Sequence, residues 1–373
     1  MKRPTVAAYY FPNWHVEPRN EELYGPGWTE WELSRRGEPR FPGHQQPKVP
    51  LWGYQDEADP RVFAQKVDAA ADHGVDVFLF DWYWYGGKPF LQRCLDEGYL
   101  RAPNRERIRF ACMWANHDWV DLFPAKANHT QQLRFTGKVS ENEWQGLMTQ
   151  MITYFKHPCH WLVDGAPYFS IYELYRFIDS FGGIDGAAAA LADFRRTVQA
   201  AGFSDLHLNV VMWGIPNLPQ ERAMDASAAL LDKLGVRSVD TYVWVHHVGM
   251  DTYPTVDYQR MADAMAAQWP DLLRKYGRPY HPNVSMGWDS SPRCCPSDKH
   301  RNLGYPFTPV YVGNTPERFA ASLERAKLAV AGEADPVITI NNWNEWTEGS
   351  YLEPDTVNGM AYLEAVKKVF GTR

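Results

Sequence analysis

The chain has 373 residues and a net charge of -7, with 38 basic against 45 acidic residues, a balance that argues against a nucleic-acid-binding surface. Aromatic residues make up 14% of the sequence, including 16 tryptophans, so some of these rings are expected to lie outside the core. No apolar run approaches the roughly 18 residues that a membrane-spanning helix needs. We therefore expect neither a nucleic-acid partner nor a membrane span.

Short apolar segments alternate along the chain with amphipathic or alanine-rich segments, which is typical of β/α units and a parallel sheet. Eight segments have the composition of buried strands: 5–10, 76–80, 108–113, 168–172, 206–212, 238–244, 283–286 and 337–340. Eight is the number that a closed (β/α)8 barrel needs. The sequence therefore predicts an α/β fold, a single (β/α)8 TIM barrel over residues 1–373, since no linker or repeat divides the chain.

Helical patterns lie between and after these strands. They cover residues 60–72, 90–99, 141–155, 186–200, 219–234, 256–276, 316–331 and 359–370. Ser140 and Thr315 are predicted N-caps, because Ser and Thr side chains accept hydrogen bonds from the free amides of the first turn. Two segments rich in Pro, Gly and aromatic residues, 13–59 and 288–314, exceed ordinary connections, so we predict long functional loops at the C-terminal face.

Polar and aromatic residues occur together at the carboxyl ends of the predicted strands. In a parallel barrel these ends meet at the face that carries the active site. We expect substrate contacts there from Tyr9, Tyr10, Trp14, Asp81, Trp82, Asn116, His117, Tyr172, His246 and Trp288. For a single Asp, Asn or His after a strand, a turn, capping or hydrogen-bonded wall role is an open alternative.

The last predicted strand runs into the segment VITINNWNEWTEGSYLEP, residues 337–354. Cleavage of a glycosidic bond needs one carboxyl group as acid and another as base or nucleophile, and aromatic faces suit sugar rings. Glu345 and Glu348 beside tryptophans supply both, so they are the predicted catalytic pair. Asn344, Trp346 and Glu353 are predicted to contact substrate, although Glu353 could only shape the loop. The alternative is a solvated loop in which the glutamates cap a helix.

Other catalytic classes lack their sequence elements, namely a G-x-S-x-G elbow, a G-x-x-x-x-G-K-[ST] loop and a G-x-G-x-x-G after the first strand. The five cysteines include no C-x-x-C spacing; adjacent Cys294 and Cys295 could form a metal or redox pair, but unpaired thiols are favoured. We expect no metal or other cofactor. The first residues show no signal-peptide pattern, so we expect a cytoplasmic protein, or a periplasmic or secreted one if a signal was removed.

Several motifs together resemble the WbsX-type proteins related to glycoside hydrolase family 99. The likeness covers nearly the whole chain and is carried by YYFPNWH (9–15), GWTEW (27–31), the run over 42–60, FLFDWYWYGGK (78–88) and WNEWTEGSYLEPD (343–355). It implies a (β/α)8 barrel that acts on an oligosaccharide or polysaccharide. In the family 99 enzymes, endo-acting α-mannosidases that retain anomeric configuration, a comparable ending carries two glutamates with the same spacing.

The resemblance also implies roles for the two glutamates. Glu345 would remove the proton of the sugar 2-hydroxyl, so that this oxygen attacks the anomeric carbon through an epoxide-like intermediate. Glu348 would protonate the leaving oxygen and then activate water. Thr347 stands where the mannosidases carry His, a departure that bears on the sugar more than on hydrolysis. Because the WbsX branch occurs among polysaccharide-building genes and is labelled glycosyltransferase, sugar transfer is one alternative, and non-catalytic carbohydrate binding is another.

Overall fold

Nine parallel strands form a nearly closed barrel in the computed structural model, which describes residues 2–216, 222–298 and 301–372. The strands are β1 (Thr5–Tyr10), β2 (Val77–Tyr85), β3 (Arg109–Trp114), β4 (Ala166–Ile171), β5 (His207–Val211), β6 (Ser238–Asp240), β7 (Tyr280–His281), β8 (Asn283–Ser285) and β9 (Val337–Asn341). Their order in the sheet is β7-β6-β5-β4-β3-β2-β1-β9-β8. The first and last strands of this order are separated in the chain by Pro282 alone.

Pro282 divides the seventh strand of the predicted barrel into β7 and β8. Proline has no amide hydrogen to donate to a strand ladder. Its carbonyl oxygen still accepts a hydrogen bond from Thr339 N at 3.0 Å, which is an ordinary hydrogen-bond length. β7 pairs with β6, and β8 pairs with β9, so the two short strands together close the ring. The predicted (β/α)8 barrel is therefore confirmed.

The predicted strand bounds differ from the structure in two places that matter for the site. β2 continues to Tyr85 because its end forms a hairpin with Lys88–Phe90. β6 ends at Asp240, earlier than predicted, and the chain then enters a 3-10 turn at Trp244–His246. Both changes bring more of the chain to the C-terminal face.

Ten α-helices occur within the described residues, and none of them is both long and apolar enough to cross a membrane. They are α1 (Pro18–Tyr24), α2 (Trp31–Arg35), α3 (Pro60–Asp72), α4 (Glu141–Phe155), α5 (Leu174–Ser180), α6 (Ile184–Ala200), α7 (Ala228–Lys233), α8 (Tyr258–Lys275), α9 (Pro316–Ala329) and α10 (Ala361–Phe370). Ser140 and Thr315 cap α4 and α9 as predicted, each accepting a hydrogen bond from a first-turn amide.

Two helix predictions fail or fall partly outside the described residues. Over 90–99 the chain forms a π-helical turn at Cys94–Gly98 and no α-helix, and within this turn Gly98 packs so closely on the Glu57 carbonyl that a Cβ there would clash. Tertiary packing overrides local helix preference in this segment. In the predicted helix over 219–234, residues 219–221 lie outside the described part of the chain, and α7 covers only Ala228–Lys233.

The barrel interior contains a polar layer below the C-terminal face, where such barrels usually hold branched apolar side chains. Ser170 Oγ donates to Asn209 Oδ1 at 2.7 Å, and Asn209 Nδ2 donates to Ser238 Oγ at 3.0 Å. Asn283 Nδ2 donates to Thr339 Oγ1 at 3.1 Å. These hydrogen bonds between side chains of neighbouring strands satisfy polar groups that burial would otherwise leave costly.

Asp240, at the end of β6, is the acidic member of this interior. It is fully buried, and Tyr9 donates its hydroxyl to Asp240 Oδ2 at 2.5 Å. Burial raises the pKa of Asp240 to about 7, against the opposing effect of the Tyr9 hydrogen bond. The folded state therefore holds this proton to a higher pH than the unfolded chain, in which an aspartate has a pKa of about 3.9.

Replacing Asp240 with Asn should flatten the pH dependence of stability. Because the folded-state pKa is raised, the native protein loses up to ~4 kcal/mol of unfolding free energy from this group as pH rises from about 4 to about 7. The Asp240→Asn variant should lack this loss, as measured by urea denaturation across that range. Asp271→Asn, on an exposed position of α8, is the matched control. Equal slopes for the native protein and Asp240→Asn would contradict the prediction.

Candidate active site

The carboxyl ends of the barrel strands surround a cavity with an empty volume of about 750 Å³. Its wall is largely aromatic, and its floor carries carboxyl groups and an arginine. A concave pocket at this face is where a barrel enzyme binds its substrate. The residues predicted from the sequence that line it are Asp81, His117, Tyr172, His246, Trp288, Glu345 and Glu348.

A tight hairpin after β9 carries both predicted catalytic glutamates. Asn344–Glu345 pairs antiparallel with Ser350–Tyr351, and the intervening Trp346–Glu348 forms a 3-10 turn. Gly349 follows with a φ of 63°, and a Cβ at this position would lie 2.7 Å from the Asp289 Cβ. Only glycine fits this left-handed, closely packed position, so the turn is held in the one shape that brings Glu345 and Glu348 to the same cavity.

Arg293 links the two glutamates to each other. Its Nη1 lies 2.5 Å from Glu348 Oε1, and its Nη2 lies 3.4 Å from Glu345 Oε1. Its Nε donates to Glu30 Oε1 at 2.9 Å, and the side chain is only 5% exposed. Burial alone would lower the pKa of this guanidinium, but the surrounding acids, led by Glu30, raise the pKa well above its usual value. Arg293 is therefore a permanently charged group beneath the cavity.

The other contacts of Glu348 and Glu30 complete this side of the site. Tyr305 donates its hydroxyl to Glu348 Oε1 at 2.7 Å and also bonds to Arg293 Nη1. Thr347 donates its hydroxyl to Glu30, so the residue between the tryptophan and Glu348 holds the turn from below and does not line the cavity. Glu348 is thus bound on one oxygen by a cation and a phenol.

Glu345 contacts a second carboxyl group through Tyr242. The Tyr242 oxygen lies 2.8 Å from Glu345 Oε2 and 2.9 Å from Asp81 Oδ2, and Asn342 Nδ2 donates to Glu345 Oε2 at 3.3 Å. Burial, followed by the negative charge of Glu348, raises the pKa of Glu345 well above its usual range, whereas Arg293 lowers it. The site therefore favours holding a proton on at least one of its acids at neutral pH.

The cavity wall offers ring faces and neutral polar groups to a ligand. Phe11, Tyr83, Trp119, Phe123 and Trp288 contribute the aromatic surface. His246 donates from Nδ1 to the Ile215 carbonyl at 2.9 Å, and burial lowers the pKa of its ring to about 4. His246 is consequently neutral at physiological pH, which fits the alternative of a hydrogen-bonded residue in the cavity wall.

Strand parity places several other predicted residues away from the cavity. Successive side chains of a strand point to opposite faces, so Asp81 enters the barrel while Trp82 faces outward and stacks on Trp84 at 5.5 Å. Tyr10 likewise faces α3, where it stacks on Phe63 at 5.2 Å. Tyr9 faces inward but lies one layer lower, bound to Asp240. The geometry gives no support to the predicted substrate contacts of Tyr9, Tyr10 and Trp82.

Four further predicted residues support the loops and do not line the cavity in the described structure. Trp14 packs on Trp31 at 4.1 Å, and Trp346 stacks on Tyr351 at 3.7 Å. The Asn116 side chain forms two hydrogen bonds with the Glu173 backbone, at 2.7 and 2.9 Å. Asn344 Oδ1 accepts a hydrogen bond from Phe11 N at 2.8 Å. Buried backbone groups in long loops need such partners, which explains polar residues beside the site that do not face the ligand.

Glu353 lies beneath the turn that carries Glu345 and Glu348, outside the cavity lining. Its Oε2 accepts from Trp346 Nε1 at 2.8 Å, its Oε1 accepts from Trp343 Nε1 at 3.1 Å, and Lys66 forms a buried ion pair with it. Every one of these partners belongs to the protein. The loop-shaping alternative for Glu353 therefore fits the geometry better than substrate contact.

Four residues that contact the two glutamates or Arg293 were not predicted from the sequence, namely Arg293, Tyr305, Glu30 and Tyr242. Arg293 and Tyr305 lie in the long segment 288–314, and Glu30 lies in 13–59. The unusual length of these two loops was the feature of the sequence that could have indicated a role for them. Tyr242 fell inside a predicted strand that in fact ends at Asp240. An arginine in a long loop gives no indication of which carboxylates it will meet, because those lie far apart in the chain.

The cysteines give no support to the metal or redox alternative. All five are free, and burial raises the pKa of Cys294 to about 12, so its thiol is protonated. Among the described residues, His15, Glu57 and Cys94 form a buried group with metal-ligand spacing. Glu57, however, already accepts hydrogen bonds from the Trp14 amide and the Tyr10 hydroxyl, each at 2.9 Å. This group is explained by loop packing.

A family model described as "Glycosyltransferase WbsX" matches residues 6–366. The chain belongs to this family. Among curated proteins, the WbsX-family chain is 27–28% identical over 369 residues to the uncharacterized protein WxcX from two strains of Xanthomonas campestris pv. campestris. The match covers 98% of this chain but 49% of the relatives, so the chain spans about half the length of the curated proteins it matches.

Solved structures similar to this WbsX-family chain include glycoside hydrolases. The GH99 endo-alpha-mannosidase from Bacteroides thetaiotaomicron aligns with a TM-score of 0.56 and 15% identity, covering 97% of this chain and 95% of that one. A "glycoside hydrolase-like protein" aligns with a TM-score of 0.61 and 15% identity, covering 100% and 95%. At such identity the likeness shows the fold alone.

Replacing Lys66 with Met should destabilise the protein strongly if Glu353 is structural. The change leaves a buried carboxylate without its cation, which typically costs about 3–5 kcal/mol of unfolding free energy. Lys2→Met, which breaks the exposed pair with Asp335, is the control and should cost less than about 1 kcal/mol. Chemical denaturation measures both. Adding Glu353→Gln should recover part of the Lys66→Met loss, and a Lys66→Met protein as stable as the native one would refute the structural role.

Proposed function

We propose that this WbsX-family protein is a glycoside hydrolase that cleaves glycosidic bonds in an oligosaccharide or polysaccharide. The observation that carries the proposal is the pair Glu345 and Glu348, held on one turn by a shared arginine and facing an aromatic cavity. Glycosidic cleavage needs two carboxyl groups and a surface for sugar rings, and this cavity supplies both. The glycoside hydrolase-like fold is consistent with this chemistry.

The finer proposal is a retaining, endo-acting cleavage of α-mannosidic or related linkages through the neighbouring 2-hydroxyl. Glu345 Oε2 is engaged by Tyr242 and Asn342, whereas Oε1 has only the longer contact of 3.4 Å with Arg293 Nη2, so Oε1 is the oxygen that would accept the proton of that hydroxyl. The 2-oxygen then forms a bond to the anomeric carbon while Glu348 gives a proton to the departing oxygen. In the second step Glu348 takes a proton from water, the water oxygen opens the three-membered ring, and Glu345 returns the proton to the 2-oxygen.

Arg293 and Tyr305 would contribute most when Glu348 gives up its proton. Both bond to Glu348 Oε1, at 2.5 and 2.7 Å, where negative charge develops as the proton leaves. Donors fixed before the reaction stabilise such charge without reorganising, which is a principal source of rate enhancement. Their position therefore fits a general acid at Glu348 whose carboxylate must form in a buried site.

Glu345→Gln and Glu348→Gln should each lower hydrolysis by at least about 100-fold, because each removes a proton-transferring group. A panel of oligosaccharides and polysaccharides screened for released products would supply the substrate for the rate measurement. Glu106→Gln, at an exposed position just before β3, is the matched control. Calorimetry should show that the Glu348→Gln protein still binds the glycan, and full activity in either variant would remove the assignment.

Sugar transfer is the second candidate, and the observation that favours it is the description of the matching family as glycosyltransferase. A transferase using a nucleotide sugar would bind the donor's diphosphate, which a glycosidase does not need. Calorimetry with nucleotide sugars, followed by product analysis with an acceptor glycan, separates the two. Donor binding with transfer would establish the transferase, and glycan binding without any turnover would indicate a carbohydrate-binding protein.

A further inference from the structure

The contacts around Tyr242 require one proton more than its own hydroxyl group carries. The Tyr242 oxygen lies 2.9 Å from Asp81 Oδ2 and 2.8 Å from Glu345 Oε2, so both contacts have hydrogen-bond length, and it also accepts a hydrogen bond from Asn342 Nδ2 at 3.2 Å. A phenol has one O–H donor, and an ionised carboxylate can only accept. Both contacts are hydrogen bonds only when Asp81 or Glu345 is protonated and donates to the Tyr242 oxygen.

The surroundings of the two carboxyl groups differ in what they offer to a negative charge. Glu345 has Arg293 Nη2 at 3.4 Å from Oε1 and Asn342 Nδ2 at 3.3 Å from Oε2. Asp81 has Tyr242 on Oδ2, while its buried Oδ1 has no hydrogen-bond partner in the described part of the chain. A charge without donors in a buried site is expensive, so the negative charge is more stable on Glu345.

We propose that Asp81 is a protonated positioning residue that donates from Oδ2 to the Tyr242 oxygen. The Tyr242 hydroxyl is thereby directed to Glu345, and this hydrogen bond stabilises Glu345 as an ionised base. The assignment of the proton to Asp81 rests on the geometry alone. The role of Glu345 as a base rests on the proposed hydrolase function. Burial is the main influence that raises the pKa of Asp81, and the charge of Glu348 adds to it, against opposing effects of Tyr242 and Arg293.

The titratable and charged groups whose interactions with Asp81 or Glu345 are seen in the described part of the chain fit this assignment. These groups are Tyr9, Tyr83, Tyr242, Arg293, Glu345 and Glu348. Arg293, the cation among them, directs its donors to Glu30, Glu345 and Glu348 and not to Asp81. Burial also keeps the phenols protonated by raising their pKa. A proton on Asp81 therefore removes one uncompensated negative charge from the floor of the cavity.

A neutral Asp81 would help Glu345 in two ways. It places no repulsive charge beside Glu345, so it does not raise the pKa of the base. It also fixes the single hydrogen of Tyr242 on Glu345 Oε2, which leaves Oε1 to receive the proton of the sugar 2-hydroxyl. The effect on the reaction passes through Tyr242, because Asp81 bonds to that hydroxyl and not to Glu345.

Infrared difference spectroscopy locates the proton without any substrate. At about pH 7 the native protein should show a carboxylic-acid carbonyl band that is lost in Asp81→Asn and kept in Glu345→Gln. Asp240→Asn and Glu348→Gln identify the separate bands of the buried acid below and of the proposed general acid. A band lost in Glu345→Gln and kept in Asp81→Asn would overturn the proposal, as would loss in both variants or in neither. Neutron diffraction of the native protein, which needs no variant, should place a deuteron on Asp81 Oδ2.

The pH dependence of kcat/KM tests the effect on the base once a substrate is known. Asn resembles a protonated Asp, so Asp81→Asn should move the acidic limb by less than about half a pH unit, although its maximum rate falls. Asp81→Leu and Tyr242→Phe should move that limb upward by about one unit, because Glu345 loses its oriented donor. A downward shift in Asp81→Asn would show that Asp81 was ionised and would overturn the proposal. If the native protein hydrolyses no glycan of the panel, the result counts against the hydrolase function, and the infrared test of the proton on Asp81 is unaffected.

Discussion

The buried guanidinium of Arg293 is the interaction on which the rest of the site depends. Three carboxyl groups, those of Glu30, Glu345 and Glu348, lie within hydrogen-bonding or ion-pair distance of its three nitrogens. Burying carboxylates without a cation would cost several kcal/mol each. A lysine could not replace it, because only the planar fork of arginine directs separate N–H groups to three acceptors at fixed angles. Arg293 thus holds the turn that carries Glu345 and Glu348 from the floor of the cavity.

The long loops exist to bring this cation to its partners. Glu30 comes from the segment 13–59, Arg293 comes from 288–314, and the glutamates follow the last strand, so distant parts of the chain must meet. Arg40 joins the two loops by donating to the Asp298 carbonyl at 2.5 Å, and His44 Nε2 lies 2.9 Å from Asp289 Oδ2. Loops held by their own polar contacts are rigid enough to position a charge, which a flexible connection of the same length would not be.

The sequence predicted the strands well and the side-chain directions poorly. Apolar runs and caps identified β1, α3 and α4 with their bounds, because these depend on local chemistry. Tyr10 and Trp82 were assigned to the cavity although the parity of their strands turns them outward, since an aromatic cluster at a strand end does not reveal which residue faces inward. Arg293 depends on contacts between distant segments, which composition and spacing do not encode.

The charge of the site is matched to the reaction that we propose for it. With Asp81 neutral and Glu348 carrying the proton it donates, Arg293 faces the two anions Glu30 and Glu345, which leaves one net negative charge at the cavity floor. Glycosidic cleavage develops positive charge at the anomeric carbon in an oxocarbenium-like transition state. A residual negative charge at the cavity floor stabilises that state more than the neutral sugar, and such a difference is what accelerates a reaction. An ionised Asp81 would double the residual charge, raise the pKa of Glu345 and weaken it as an ionised base at neutral pH.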